Sequence, residues 1–314
     1  MSRSLKSARD GALMLLPRDF ANNWDTLSPW LIQRITTRKM SYRELESVEL
    51  EGAILDVLRT INGDIQRSGR HRSDEWEEGW NQNLESLSSL AIREAITPHY
   101  FNKFPLVRWN QRWIKRDSPD LEYAMFETLM DWVGETYLAN YSSTYEFGCG
   151  TGHNLIRLRE KFPKRPLIGL DWASSSQIIL QQLSLKLGDQ GLSGINFDYF
   201  HPDIQVSLDP DSVVLTVASL EQIGNQYGPF LDYLLLQRPA RVVHIEPVTE
   251  MLDASNLMDY LSIKYFEKRN YLSGYLSKLR ELEAEGKIDI VAANRTFVGS
   301  FFIDGYSLIV WEPV

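Results

Sequence analysis

The stretch from Thr144 to Asn154 constrains the fold of this chain more than any other. It reads Thr-Tyr-Glu-Phe-Gly-Cys-Gly-Thr-Gly-His-Asn. Aromatic and β-branched residues precede it, and apolar residues recur after it at helical spacing. Glycines let a backbone turn sharply and approach a ligand closely, and the first amides of the following helix stay open. The stretch therefore predicts a strand, a ligand-binding loop and a helix, as in nucleotide sites.

The spacing of the glycines distinguishes two kinds of nucleotide site. A dinucleotide site of the G-x-G-x-x-G type, counted from Gly148, needs a third glycine where this chain has His153. This mismatch disfavours an NAD-dependent oxidoreductase. The residues instead read E-x-G-x-G-x-G, in which Glu146 is the acid.

On this motif the chain resembles the class I S-adenosylmethionine-dependent methyltransferases. The resemblance implies that Gly148, Gly150 and Gly152 pack against the methionine part of the cofactor. It also implies that Glu146 organises the loop and its contact with the cofactor's amino group. S-adenosyl-L-methionine is therefore the expected cofactor.

A second acid follows the glycines at the distance expected for a βαβ unit. Residues 166–170 read as a short buried strand that ends in Asp171, about 20 residues after the loop. A carboxylate there can accept hydrogen bonds from both ribose hydroxyls. Trp172 offers an apolar face for adenine. The resemblance further implies an acid near the adenine amino group, for which Asp203 is the first candidate and Asp198 the second.

The remaining chain predicts an α/β fold of the Rossmann-like, doubly wound type. Further strands are expected at 195–200, 212–217 and 241–245, and 288–293 with 306–311 as a closing antiparallel pair. The expected sheet has seven mostly parallel strands with a C-terminal antiparallel strand, preceded by an N-terminal helical extension. Residues 1–117 are predicted to be a helical cap and 118–314 the methyltransferase domain.

Candidates for a general base lie where the fourth and fifth strands end, because ligands bind beyond the carboxyl ends of strands in open α/β sheets. Glu246 is ranked first, since it lies nearest the end of its strand, and His244 and Glu221 follow. Each has a structural alternative, because buried carboxylates commonly accept backbone hydrogen bonds.

The first third of the chain reads as helical, without a strand pattern of useful length. Ser41 and Glu44 fit a capping box that starts a helix. Aromatic and cationic residues alternate between Tyr100 and Arg116, which suits either a packing seam against the sheet or a strip that contacts substrate. We expect this helical part to cover the carboxyl ends of the strands as a lid.

Composition narrows the class of partner. The 314 residues carry a net charge of -9, so no overall positive field favours nucleic acid or an anionic membrane surface. The single cysteine, Cys149, permits no intrachain disulfide, and no apolar run approaches a membrane span. A cytoplasmic protein without a metal is expected, and its oligomeric state stays open.

These observations together predict a methyltransferase that acts on a small or medium-sized acceptor, with O-methylation as the expected reaction. The alternative is a non-catalytic protein that uses the same fold to bind a cofactor or a partner.

Overall fold

The structure is a computed structural model that describes residues 12–24 and 26–314. Its helices are α1 (Pro17–Ala21), α2 (Pro29–Thr37), α3 (Ser47–Asn62), α4 (Ser73–Ser86), α5 (Ile92–Ile96), α6 (Leu121–Thr136), α7 (His153–Lys161), α8 (Ser174–Leu187), α9 (Gly228–Gln237), α10 (Leu257–Arg269) and α11 (Tyr275–Ala284). Its strands are β1 (Leu13–Met14), β2 (Ser41–Glu44), β3 (Leu106–Trp109), β4 (Arg112–Arg116), β5 (Ser143–Phe147), β6 (Leu167–Asp171), β7 (Leu192–Asn196), β8 (Ser212–Val217), β9 (Arg241–Glu246), β10 (Ile288–Arg295) and β11 (Ser307–Pro313).

A seven-stranded sheet forms the centre of the protein, with strand order β10-β11-β9-β8-β5-β6-β7. The five strands from β5 to β9 run parallel, and β11 pairs antiparallel with both β9 and β10. Every residue of β5, β6 and β8 is buried, as expected for strands covered on both faces. The predicted seven-stranded, mostly parallel sheet with a closing antiparallel pair is confirmed.

The strand order brings the glycine loop and Asp171 to one edge of the sheet. β5 lies between β6 and β8, so the carboxyl ends of these three strands are adjacent. Parallel strands end at the same edge, and the segments that follow them must meet there. The functional site is therefore expected beyond Phe147, Asp171 and Val217.

The N-terminal part contains a sheet that the sequence analysis missed. β1, β2, β4 and β3 form a four-stranded antiparallel sheet in that order, and its strands are only two to five residues long. The predicted helix start at Ser41 is wrong, because Ser41 belongs to strand β2 and pairs with Met14 of β1. The helix begins at Ser47, where Glu46 and Glu49 form the capping box instead.

The aromatic and cationic segment before residue 117 is mostly a packing seam. β3 and β4 form a hairpin, in which Arg108 and Trp109 are almost fully buried. The backbone of this hairpin joins the connection between β10 and β11: Gly299 N donates to Arg108 O at 3.1 Å, and Asn110 N donates to Phe297 O at 3.2 Å. The cap is thus bonded to the last hairpin of the central sheet, and the division at residue 117 stays a prediction.

The end of the third strand differs from the one expected. The third strand is Leu192–Asn196, so it ends four residues before the predicted end at 200. The fold has no described helix long and apolar enough to span a bilayer.

Candidate active site

The loop between β5 and α7 needs glycine at three positions. Gly148, Gly150 and Gly152 have φ angles of +68°, +52° and +72°, in the left-handed region that side chains rarely adopt. A Cβ atom at each position would also collide with a neighbouring side chain, at 2.4 Å from Ser219, 2.8 Å from Trp80 and 2.5 Å from Leu180, respectively. The loop is therefore a tight cradle that only glycine can form.

A cleft of about 720 Å³, counted with its open mouth, lies beside this loop. Much of its wall is aromatic and consists of Trp76, Trp80, Tyr100, Trp172, Phe197 and Tyr199. Its polar lining includes His153, Asn154, Asp171, Ser219 and Gln222. Largely apolar walls with a few polar groups are typical of small-molecule sites.

Asp171 lies in the cleft, at the end of β6 where the sequence placed it. Its Oδ2 accepts a hydrogen bond from Gly150 N at 2.8 Å, and its Oδ1 accepts from Ala173 N at 2.9 Å. Burial raises its pKa to about 6, although these backbone hydrogen bonds act in the opposite direction. Asp171 thus fixes the glycine loop, and each carboxylate oxygen keeps a second lone pair for a ligand.

Glu146 lies beneath the loop, almost fully buried. Its Oε1 accepts from Asn154 Nδ2 at 2.7 Å, whereas its Oε2 has no hydrogen-bond partner within the described part of the chain. Burial raises the pKa of Glu146 to about 8, the hydrogen bond from Asn154 lowers it, and the charge of Asp171 raises it. A buried carboxyl with one open oxygen is suited to a cationic ligand, which would stabilise its charged form.

Of the residues predicted to lie near adenine, Trp172 lines the cleft and the two acids do not. Trp172 lines the cleft, and its ring is stacked on Phe200 with centroids 6.1 Å apart. Asp203 contradicts the prediction, because it is exposed outside the cleft and accepts from Gln205 N at 2.9 Å. Since β7 ends at Asn196, the chain has left the edge of the sheet before it reaches Asp203.

Asp198, the second candidate, also lies outside the cleft. It accepts from Phe200 N at 2.8 Å and forms an ion pair with Arg70 at 3.1 Å. The cleft instead takes the rings of Phe197 and Tyr199 from this segment.

Glu246, ranked first as the base, has a structural role in this arrangement. Its Oε1 accepts from Ser219 N at 3.2 Å and from Leu220 N at 3.1 Å, and its Oε2 accepts from Glu221 N at 3.3 Å. It is fully buried and does not line the cleft. Glu246 therefore holds the backbone turn after β8, which contradicts its predicted contact with substrate.

His244 is likewise part of the core. Its Nδ1 lies 2.8 Å from Thr216 Oγ1, and its Nε2 accepts from Trp311 Nε1 at 3.1 Å and lies 2.8 Å from the Tyr275 hydroxyl. Because the indole can only donate, the ring proton belongs on Nδ1. Burial lowers the pKa of His244 to about 3, so the ring is neutral. Because both of its nitrogens already have hydrogen-bond partners, it is unsuited to be the base.

Glu221 is the one strand-end candidate with an open acceptor atom. Its Oε1 accepts from Gln222 Nε2 at 2.8 Å, while its buried Oε2 has no hydrogen-bond partner in residues 12–24 and 26–314. Burial and then the charge of Glu246 raise its pKa to about 8. Its neighbour Gln222 lines the cleft directly.

Tyr100 is electrostatically coupled to Glu221, because burial and then the charge of Glu221 raise the pKa of Tyr100. Tyr100 and Gln222 line the cleft, whereas Glu221 is buried behind them and does not line it directly.

The sequence analysis missed the contribution of α4. Trp76 and Trp80, four residues apart on this helix, stack on each other with centroids 5.4 Å apart and line the cleft. Their i, i+4 spacing was the one sequence signal for a shared face. The expected cover over the strand ends is thus provided by α4 and Tyr100, whereas Trp109 is core and Arg112 pairs with Glu44 on the surface.

α4 is fastened to the helix that follows Asp171. Glu77 Oε2 accepts from Ser174 N at 2.7 Å, and its Oε1 accepts from Ser175 N at 2.9 Å and Ser174 Oγ at 3.1 Å. A carboxylate at these positions satisfies open amides at the start of α8 and interacts favourably with the helix dipole. Glu77 therefore clamps α4 over the glycine loop.

His153 was noted only as a mismatch to the NAD motif, yet it lines the cleft. Its Nδ1 lies 3.3 Å from Thr151 Oγ1, whose own proton is donated to Ile96 O at 2.6 Å. This leaves Nδ1 as the donor and Nε2 as an open acceptor, without a partner elsewhere in the described residues. Burial lowers its pKa to about 3, so the ring is neutral.

No group of three or more His, Cys, Asp or Glu side chains in the described ranges is arranged to hold a metal ion. The expectation of a reaction without metal stays a prediction.

Solved structures with a similar fold include methyltransferases and a cyclase. The [4+2]-cyclase SpnF matches with a TM-score of 0.51 and 11% identity, over 80% of this chain and 97% of its own. The mitomycin 7-O-methyltransferase MmcR matches at 0.46 and 12% identity, over 84% and 67%. The O-methyltransferase NcsB1, solved with S-adenosylmethionine and 2-hydroxy-5-methyl naphthoic acid, matches at 0.42 and 15% identity, over 77% and 70%.

No protein-family model and no curated protein sequence matches the chain. The architecture and the similarity to solved structures show that the chain has the class I methyltransferase fold. At these identities the likeness shows the fold alone.

Proposed function

We propose that this protein is an S-adenosylmethionine-dependent methyltransferase that methylates a hydroxyl group of a small or medium-sized acceptor. The observation that carries the proposal is the glycine cradle with two buried carboxyls, Glu146 and Asp171, at the carboxyl edge of the sheet. Both are among the residues that the resemblance assigns to the cofactor.

The residues present fit this cofactor in charge and shape. Glu146 Oε2 is an open buried acceptor suited to the amino group, and Asp171 has lone pairs left for ribose hydroxyls. The three glycines let neighbouring groups approach the loop backbone more closely than any side chain would allow. The rings of Trp172, Phe197 and Tyr199 provide flat apolar surface for a purine.

The chain's own contribution to the reaction is orientation, shielding and proton transfer. When bound, the cofactor supplies a methyl group that is activated for in-line substitution. Trp76, Trp80 and Tyr100 cover the cleft and exclude water from the acceptor. Much of the rate enhancement in such a reaction comes from holding the two reacting groups in line.

Glu221 takes the place of Glu246 as the proposed general base. Its Oε2 is the open atom that can accept the hydroxyl proton, since its Oε1 is occupied by Gln222. Burial and the charge of Glu246 raise the pKa of Glu221 to about 8, near the range in which a base is effective at neutral pH. His153 Nε2 is a second open acceptor in the cleft, suited to orient a ligand N–H or O–H.

Three further expectations belong to this proposal. The net charge of -9 favours a small-molecule partner over nucleic acid or an anionic membrane. Residues 1–117 are proposed as the cap and 118–314 as the methyltransferase domain. A cytoplasmic location is proposed from the single cysteine, Cys149.

Titration calorimetry with S-adenosylmethionine and S-adenosylhomocysteine tests the cofactor assignment. Binding of both to the wild-type chain, lost or strongly weakened in Asp171→Ala, is expected. Incubation with methyl-labelled cofactor and a host metabolite extract, followed by mass spectrometry, then tests transfer and identifies the acceptor. Absence of binding to either ligand would overturn the proposal.

A second candidate is a protein that uses the same fold without methyl transfer. It is favoured by one observation: Glu246 and His244 are both committed to structural hydrogen bonds. Cofactor binding without any labelled product across the metabolite extract would support this candidate.

A further inference from the structure

Gln222 lies between the covering helix α4 and the carboxyl of Glu221. On one side, Gln222 Oε1 accepts from Arg72 Nη1 at 2.8 Å and from Ser68 Oγ at 3.1 Å. On the other side, Gln222 Nε2 donates to Glu221 Oε1 at 2.8 Å. Arg72 immediately precedes α4, so an unbroken chain of hydrogen bonds runs from the start of this helix to Glu221.

The chemistry of the partners fixes the orientation of the amide. A guanidinium can only donate, so the oxygen of Gln222 must face Arg72 and its NH₂ group must face Glu221. The NH₂ group in turn occupies Glu221 Oε1 as an acceptor. A proton on Glu221 therefore belongs on Oε2, the atom without a partner in the part of the chain that the structure describes.

Arg72 is itself held by α4. Its Nε donates to Glu75 Oε2 at 2.8 Å, and its guanidinium lies over the Trp76 ring, 5.1 Å from the centroid. Trp76 lines the cleft. Displacement of α4 from the cleft would therefore move Arg72 and remove the charged donor to the oxygen of Gln222, leaving only the hydroxyl of Ser68 there.

We propose that Gln222 is a positioning residue that couples α4 to Glu221: with α4 in place, Arg72 holds the Gln222 amide, and the amide directs Glu221 Oε2 toward the acceptor. This inference rests on the proposed function, because it assigns Glu221 as the base. Under this coupling, Glu221 is oriented for proton transfer only when α4 covers the cleft. Proton transfer would then take place only while water is excluded from the acceptor.

Several charged or titratable groups face Glu221 besides Gln222. Glu246, which lies on β9, raises the pKa of Glu221. Arg269 at the end of α10 and Tyr271 just after that helix lower the pKa of Glu221. The charge of Glu221 also acts on the hydroxyls of Tyr265, Tyr306 and Tyr100. Arg72 is not among the largest influences on the pKa of Glu221, and its hydrogen-bonded route to Glu221 runs through Gln222.

The coupling is tested by following the protonation of Glu221 in the intact chain. The carbonyl stretch of a protonated carboxyl is recorded by infrared difference spectroscopy across a pH series, and the band lost in Glu221→Gln identifies the residue. Gln222→Met should raise the titration midpoint by roughly one to two pH units, because a hydrogen bond to the carboxylate is lost. Arg72→Met should shift it in the same direction, and Arg72→Lys, which keeps a donor, should shift it less.

Glu75→Gln is the matched control, since it removes the charge of the other partner of Arg72 but keeps an acceptor oxygen and does not touch Gln222, so the midpoint should stay unchanged. Because coupling is reciprocal, hydrogen exchange of residues 73–86 should also change across the Glu221 midpoint in the wild type and stay constant in Gln222→Met. An unchanged midpoint in Arg72→Met, with exchange of α4 independent of pH, would overturn the coupling. Cofactor binding is measured separately on the same samples, so failure of the proposed function and failure of the coupling are distinguishable.

Discussion

The indole of Trp80 lies against Gly150, with Cζ2 only 2.8 Å from the position that a Cβ atom would take on that glycine. One residue belongs to α4 and the other to the loop after β5, seventy positions later in the chain. The glycine thus has two functions: it adopts a left-handed φ angle, and it leaves room for the ring that covers the cleft.

This contact predicts that Gly150→Ala weakens cofactor binding by at least about tenfold. Either Trp80 or the loop must shift to relieve the collision, and both line the cleft; the left-handed φ angle adds roughly 1–2 kcal/mol of strain. Gly188→Ala is the control, because Gly188 has a φ of +62° with open space around it. Calorimetry that showed equal cofactor affinity in both variants would contradict the contact as a constraint on the site.

Glu146 predicts that cofactor binding releases a proton near neutral pH. Burial raises its pKa to about 8, so the carboxyl is largely protonated at pH 7, and a cationic amino group nearby would favour the carboxylate. The observed binding enthalpy at pH 7 should therefore depend on the ionisation enthalpy of the buffer. Glu146→Gln should remove that dependence; a buffer dependence of the same size in this variant would assign the proton to another group.

Replacement of the two strand-end glutamates should have different consequences. Glu221→Gln should lower turnover by roughly 10²–10⁴-fold with little change in cofactor affinity, because an amide cannot take the proton. Glu246→Gln should instead lower the free energy of unfolding by roughly 1–3 kcal/mol, because one oxygen that receives backbone amides becomes a donor. Turnover measured with the identified acceptor, and urea unfolding of both variants, check this; the reverse pattern would restore Glu246 as the base.

The buried glutamates predict that stability falls as pH rises from about 7 to 8.5. The pKa values of Glu146 and Glu221 are raised to about 8 from 4.5, so the folded chain retains protons that the unfolded chain has already lost. Their stabilising contribution is complete below about pH 4.5 and is lost as the pH passes 8. His153 and His244 have pKa values lowered to about 3, so they make the stability rise with pH. Their effect is confined to pH values below about 6.5 and lies outside this window.

The expected fall over this window is roughly 1–2 kcal/mol in the free energy of unfolding, since each titrating group contributes at most about 1.4 kcal/mol per pH unit. Urea denaturation at pH 7, 7.5, 8 and 8.5 measures it. The double variant Glu146→Gln, Glu221→Gln should reduce the fall and leave the part contributed by Glu246 and Glu122, whose pKa values are raised to about 7. A stability that rises with pH in the wild type would refute the assignment.

The clamp formed by Glu77 predicts that this side chain contributes measurably to holding α4 in place. Glu77→Gln removes the charge that faces the start of α8, so amides of residues 73–86 should exchange faster in the absence of cofactor. Glu78→Gln is the matched control, because Glu78 is the next residue and, within the described residues, hydrogen-bonds only with Gln82 on the same helix. Equal protection of the helix in both variants would contradict a contribution of the clamp.

The parts of the site that could be predicted from sequence are those encoded by neighbours in the chain. Gly148, Gly150 and Gly152 were recognisable because the turn from strand to helix is local. Asp171 was recognisable because its spacing from the loop is set by one helix and one strand. The strand at 212–217 was recognisable because a uniformly apolar run signals burial on both faces.

The misplaced residues depend on information that local pattern does not carry. The strand β7 ends at Asn196, a few residues earlier than predicted, and Asp203 therefore lies outside the cleft. Alternation along β9 placed Glu246 at the correct edge, but it could not show that three amides of the turn after β8 would occupy its carboxylate. Trp80 was missed because it lies seventy positions before Gly150 in the chain. A contact over that separation depends on the tertiary fold and leaves no local pattern in the sequence.

The hydrogen bonds from Gly299 to Arg108 and from Asn110 to Phe297 carry a consequence for protein engineering. A fragment cut at residue 117 would leave the connection between β10 and β11 without its backbone partners and would expose the surface that Trp109 now covers. We therefore expect the isolated segment 118–314 to aggregate, and chimaeras that exchange caps between related proteins to need the last hairpin exchanged with them.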